Sequence, residues 1–304
     1  MDNIKLLQYC ASHPENFLDH NYMFVEKDAR LDSYKKKTVE IKELLTAIKR
    51  IRTKKRARSV EEQIFGELQR KLKKYANYSE FGCFINACDS NINENINDLN
   101  LLKKITYLYL EKRDLCDITP SEWIQALIDK GSSRKKGQAG ENKLIKILVK
   151  NNFIKVKTIE DFNKNNKCVA KFSRSGDFSN KNIKANFKIS IGKNTQGKKL
   201  DIIIKNKKDI YFLEAKHLNT GGGEQSKQVL ELIEIIKEKP LASYHLVAFL
   251  DGIHSNNILK FEGKIIRKQM KTKEEIQYVD IKKNLIKNKN NYWVNTAGLN
   301  KLFS

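Results

Sequence analysis

The chain has 304 residues, of which 59 are lysine or arginine and 36 are acidic, giving a net charge of +23. That length can bury a real core in one large domain or two smaller ones, and a hydrophobic content of 40% excludes a disordered chain. A field this basic favours a polyanionic partner, a nucleic-acid duplex above all, though lysine-rich coding in an A/T-rich gene would add to the count.

The five cysteines are Cys10, Cys83, Cys88, Cys116 and Cys168. An odd number in a long chain argues against a disulfide scaffold and for a reducing compartment. Cys83 and Cys88 lie close together, but no second Cys or His pair follows at zinc-ligand spacing. The N-terminus lacks the pattern of a signal peptide, and no run of about 18 apolar residues could span a membrane. A cytoplasmic protein is expected.

Residues 1–130 read as helical. Lys49 to Arg58 holds seven basic residues in ten: Lys49, Arg50, Arg52, Lys54, Lys55, Arg56 and Arg58. They can contact phosphates or form a solvated helix end. Ser59-Val-Glu-Glu62 is a capping box, followed by Ile64, Leu68 and Leu72 at helical spacing. Leu101, Leu102, Ile105, Leu108 and Tyr109 suggest another helix. Thr119-Pro120-Ser121-Glu122 is a second capping box with proline at the first helical position, and Trp123, Leu127 and Ile128 follow on one face. Gly131 to Gly137, with Arg134, Lys135 and Lys136, is a polar break and the expected boundary. It divides a basic helical region, 1–130, from a second domain, 131–304.

In that second domain Glu141 opens a helix with Leu144, Ile145, Leu148 and Phe153 on its apolar side. Phe187, Ile189 and Ile191 alternate as in a strand. Leu200 to Ile204 and Ile210 to Leu213 are two more short apolar runs, joined by a hairpin-like Lys-Asn-Lys-Lys-Asp. Gly221 to Gly223 breaks the chain. A helix from about Gln225 to Glu238 carries Val229, Leu230, Leu232, Ile233 and Ile236, and Pro240 stops it. Tyr244 to Leu250 reads as a buried central strand. The expected fold is α/β: a mixed central sheet flanked by helices, with a mainly helical N-terminal region.

Asp201 ends Gly-Lys-Lys-Leu-Asp, and the strand 210–213 runs on into Glu214-Ala215-Lys216. Alternation places Glu214 and Lys216 on one face, and a hairpin of suitable register brings Asp201 beside them. Phosphodiester hydrolysis needs a metal, a water and something to meet developing charge. Mg²⁺ takes one or two carboxylates and keeps several waters. Asp201 and Glu214 fit that count as metal ligands, with Lys216 beside the metal-bound water. A simple ion pair at an exposed strand end is the plainer alternative. Asp177 is a rival for the first acid but lacks an adjoining apolar strand. His217 alternates to the other side and reads as a packing or hydrogen-bonding residue. No phosphate-loop motif is present, so no ATP use is expected.

These residues resemble the PD-(D/E)xK nuclease superfamily, and most of all its type II restriction endonucleases. Phe-Leu-Glu-Ala-Lys-His, 212 to 217, is similar to the active-site strand of EcoRI-type enzymes, and Leu-Val-Ala-Phe-Leu-Asp-Gly, 246 to 252, to the strand and turn that follow. The likeness covers about residues 138 to 252, and Leu200 stands where the motif has proline. It implies a restriction-endonuclease-like core with Asp201, Glu214 and Lys216 catalytic and Glu141 as the helix acid near the metal. Gln228 would lie near the site and the DNA, with a solvated helix face as the alternative, and the Gly221–Gly223 run with Gln225 either lets the backbone approach DNA closely or is a flexible connection. On this likeness the helical region 1–130 would serve DNA contacts or dimerisation. The same likeness implies Mg²⁺, double-stranded DNA cut at a short site, a homodimer, and a matching DNA methyltransferase as genetic partner. A repair, recombination or structure-specific nuclease of the same superfamily is the nearest alternative, and a non-catalytic DNA-binding protein the next.

Overall fold

The structure is a computed structural model that describes residues 1–52, 58–73, 76–116, 118–131, 133–173, 175–189, 200–240, 243–264 and 272–304. It divides into two compact units, one of Met1–Met23 with Arg134–Ser304, the other of Phe24–Ser133. The expected division at 130/131 thus falls three residues later, and the first 23 residues belong with the C-terminal unit rather than with the helices that follow them. The cause is the first helix, α1 (Asn3–Ser12). Its Leu6, Leu7 and Cys10 are buried in the core cluster that contains the sheet. The Asn3 amide donates to the carbonyls of Leu285, Asn288 and Asn291.

The helical unit contains α2 (Leu31–Arg52), α3 (Arg58–Leu72), α4 (Glu80–Ala87), α5 (Ile92–Asn97), α6 (Leu99–Lys112) and α7 (Ser121–Lys130). Its core joins Ile41, Leu45 and Ile48 of α2 to Phe65, Leu68 and Leu72 of α3 and to Leu102, Ile105 and Tyr109 of α6. Both expected capping boxes are displaced. α3 begins at Arg58, so Ser59 lies inside its first turn. α7 begins at Ser121 with Pro120 in the cap position and no side-chain cap. The Thr119 hydroxyl accepts from Lys42 Nζ instead. Trp123 is 72% exposed, and Ile124 joins Ile128 on the buried face of α7.

The other unit continues with α8 (Ser133–Lys150), β1 (Ile154–Lys155), α9 (Ile159–Lys164), β2 (Lys167–Lys171), α10 (Asn180–Phe187), β3 (Ile202–Asn206) and β4 (Asp209–His217). Then come α11 (Gly223–Lys237), β5 (Tyr244–Asp251), α12 (Ile253–Leu259), α13 (Lys273–Lys287), β6 (Tyr292–Val294) and α14 (Thr296–Phe303). The strands form one mixed sheet in the order β1-β2-β3-β4-β5-β6. β3 runs antiparallel to both its neighbours, β2 and β4, whereas β1 runs parallel to β2, and β4, β5 and β6 run parallel. Both faces are covered. Tyr211 meets Phe303 of α14, and its neighbour Phe212 points the other way toward Phe187 of α10. The domain is therefore α/β with a mixed sheet between helices, as expected.

Three local expectations differ. α8 starts at Ser133, so most of the supposed polar break is its first turn, and Glu141 sits in its third turn rather than at its start. Phe153 lies beyond the end of α8, though it is buried. Phe187 ends a helix rather than opening a strand. Ile183 and Phe187, four apart, are both buried on α10, and Lys188 turns the chain in the left-handed region at φ 53. Ile191 lies outside the described residues.

Candidate active site

β3 and β4 form a tight hairpin in which Asn206 pairs with Asp209 and Ile202 with Leu213. This register decides the site. It carries the residue before β3 alongside the residues after Leu213. Asp201 N donates to Leu213 O at 3.0 Å, extending the ladder by one step. The ladder then changes character, because the Ala215 N–H donates at 2.7 Å to the Asp201 carboxylate, Oδ2. One carboxylate oxygen of Asp201 is thereby fixed against the β4 backbone.

Glu214 and Lys216 share a face of β4 with Phe212. Glu214 is buried, at 4% exposure. Lys216 Nζ lies 3.0 Å from Glu214 Oε1 and 3.3 Å from Glu231 Oε2 on α11. Burial raises the Asp201 carboxyl, and the negative charge of Glu214 raises it further. The Ala215 amide and Lys216 offset part of this, and the net result is a value of about 7. Burial alone would lower Lys216. The carboxylates of Glu214 and Glu231 outweigh it and hold the lysine above its usual range. At neutral pH it is an ammonium.

Glu141 reaches this group only through its charge, which also raises Asp201. Its Oε2 lies 3.0 Å from Lys171 Nζ of β2. Asp177 is turned elsewhere, accepting at 2.9 Å from Ile159 N at the start of α9. Gln225 and Gln228 lie half-buried in the first turns of α11. Lys49, Arg50 and Arg52 are exposed at the end of α2, with the Arg52 guanidinium 4.9 Å above the Tyr107 ring. Lys54, Lys55 and Arg56 lie outside the described residues, as do the side chains of Arg58 and Arg134. Lys135 and Lys136 are exposed in the first turn of α8.

Sequence reasoning missed two features. Glu231 touches Lys216, and its only signal was its place one turn after Gln228 on the same helix. His217 is part of a buried network: its Nδ1 lies 2.8 Å from Asp251 Oδ1. Asp251 Oδ2 accepts from the Tyr22 hydroxyl at 2.8 Å and from Lys143 Nζ at 2.7 Å. Two of these partners come from remote parts of the chain and left no local signal.

Among the described residues no group of three or more His, Cys, Asp or Glu side chains stands together as a ready-made metal cage. Mg²⁺ does not need one, since one or two carboxylates and several waters suffice. The donor set fits such a cation. Burial first, and the charge of Glu214 second, push Asp201 up to about 7, and a divalent ion would offset both the lost solvation and the excess negative charge. All five cysteines are free, and none of them belongs to this group. No described helix is long and apolar enough to cross a membrane. No family model, curated protein or solved structure matches the chain.

Proposed function

We propose that this chain is a Mg²⁺-dependent nuclease of double-stranded DNA, of the type II restriction endonuclease kind. The observation that carries the reading is the meeting of Asp201 with Glu214 and Lys216. Residues far too polar for a sheet interior converge at the point where the β3–β4 ladder ends, and the lysine is held charged by two acids. The cation, when bound, would polarise the phosphoryl oxygen and acidify a water. Asp201 and Glu214 would hold it. Lys216 meets the charge that builds on the phosphate. As an ammonium it is a donor and a counter-charge rather than a proton acceptor. Glu141 adds negative charge behind Asp201. Lys49, Arg50, Arg52, Lys135 and Lys136 would neutralise DNA phosphates. The same reading carries a homodimer acting on a palindromic site, a partner methyltransferase and a cytoplasmic setting.

The test is incubation of the purified protein with unmethylated phage-length DNA, with Mg²⁺ and with EDTA. Discrete fragments with Mg²⁺ alone are the expected result, and sequencing their ends would define the site. A smear would replace site-specific cutting by a repair or nonspecific activity of the same residues. Intact linear, branched and RNA substrates with Mg²⁺ would overturn the nuclease reading in favour of a binding protein.

A further inference from the structure

β4 loses its β3 neighbour where the candidate chemistry begins. The last β3–β4 pair is Ile202 with Leu213, whereas β5 flanks β4 as far as the pair His217 and Asp251. Among the described residues, the strand from Glu214 on is laddered on one side only, and at Ala215 the backbone N–H is met by the Asp201 carboxylate. Backbone with one-sided hydrogen bonding opens more readily than the middle of a sheet. Lys216 stands on that segment, so its position needs another restraint.

The restraint lies on the opposite face, at the next residue. His217 is bonded through Nδ1 to Asp251, which is fully buried. The Tyr22 ring stacks on the His217 imidazole with centroids 3.5 Å apart and planes 14° from parallel. The Tyr22 hydroxyl and the Lys143 ammonium both bond Asp251 Oδ2. Lys143 in turn bonds Asp19 at 2.7 Å and faces Glu15 at 3.9 Å. Its burial would lower its pKa, but the surrounding acids outweigh that and keep it charged. Asp251 thus ties together the end of β4, the helix α8 that carries Glu141 two residues before Lys143, and the segment that follows α1.

We propose that His217 is a positioning residue, clamped between Asp251 and Tyr22 so that Lys216, pointing the other way, stays in register with Glu214. This rests on the nuclease reading. His217 touches no reacting atom and acts through the backbone it shares with Lys216. A small displacement of a charge-stabilising group is enough to matter, since a shift of about 1 Å can cost on the order of 100-fold in rate.

The experiment compares wild type, His217→Ala, His217→Asn and Tyr22→Phe in the full chain, with Mg²⁺ and duplex DNA, well below each melting temperature. His217→Ala is expected to lower kcat by roughly 10- to 100-fold with KM unchanged. His217→Asn, whose amide can still donate to Asp251, should recover most of that loss. Tyr22→Phe keeps the ring and removes only the hydroxyl, so it should fall between. Amide hydrogen exchange at Ala215 to Leu218 should quicken in His217→Ala while β2 and β3 stay protected, which a general loss of stability would not produce. A folded His217→Ala that cuts at the wild-type kcat overturns the clamp and leaves the nuclease reading standing. If that variant does not fold, Tyr22→Phe decides alone, and an unchanged kcat together with unchanged exchange overturns the clamp. A wild-type protein that cuts nothing with Mg²⁺ removes the nuclease reading, and the clamp with it.

Discussion

Lys216 is held charged by Glu214 and Glu231, and Asp201 is held partly neutral by burial and by Glu214. Replacing Lys216 with Met keeps the aliphatic stem and removes the ammonium. Cleavage should fall by about 10²- to 10⁴-fold while DNA affinity, measured by gel shift in Ca²⁺, changes little. Near-native cutting by that variant would exclude a charge-stabilising role for the lysine. Asp201 is raised from 3.8 to about 7 on folding. A raised acid contributes stability below its unfolded value and loses it as pH climbs through the folded value. In EDTA the melting temperature should therefore decline between about pH 4 and pH 7, and Asp201→Asn should flatten that decline. Mg²⁺ should raise the melting temperature most above pH 7, where Asp201 has lost its proton, and equal gains on either side would remove Asp201 as a ligand. Asp201, Glu214 and Lys216 could be read from the sequence because hairpin register and strand alternation are local rules. Glu231 and Asp251 could not, because their partners depend on where α11 and β5 come to rest.

At the scale of elements, α1 and α14 meet without room for a methyl group. A Cβ built on Gly298 would collide with Cys10 Sγ and stand 3.3 Å from Val294 Cβ. Gly298→Ala gains about 1 kcal/mol of helix propensity, but overpacking a tight contact costs typically 1–3 kcal/mol. A net loss in denaturant midpoint is expected. In a Cys10→Ala background the sulfur is gone, and the same change should become neutral or stabilising, a coupling that a double-mutant cycle reads directly. Additive effects would show that the sulfur is not what crowds Gly298. The long amphipathic elements were legible here. α11 and β5 lie close to where their apolar spacing puts them, because period and punctuation agree. α10 is deceptive in sequence, since Phe187 and Ile189 mimic strand alternation while Ile183, one turn earlier, supplies the helical partner that burial selects. Glu141 resembles a helix start because Gly137 and Gly140 look like breakers, yet α8 runs through both.

For the whole molecule, charge is the readable quantity and connectivity the hidden one. On the nuclease reading, a net charge of +23 predicts binding to DNA that weakens steeply with salt. Changing Lys49, Arg50 and Arg52 together to Ala should reduce the slope of log affinity against log salt by about 0.9 for each phosphate that is no longer neutralised. An unchanged slope would mean that this end of α2 does not touch the duplex. The sequence also pointed to a helical region ahead of a sheet domain. It carried no sign that residues 1–23 cross over to the sheet domain, because an amphipathic helix bears no label for its partner.

That crossing sets a clock. Asn3 bonds carbonyls 282 to 288 residues further along, and Asn295 donates to the Cys10 carbonyl. At roughly 5–20 residues per second, α1 waits on the order of 15–60 s during synthesis before its partners leave the ribosome. Residues 24–133 form their own core and need not wait. On the nuclease reading, a nascent chain thus exposes a finished basic helical unit well before it owns a working blade, and a ribosome stalled anywhere short of β6 carries an enzyme that cannot cut.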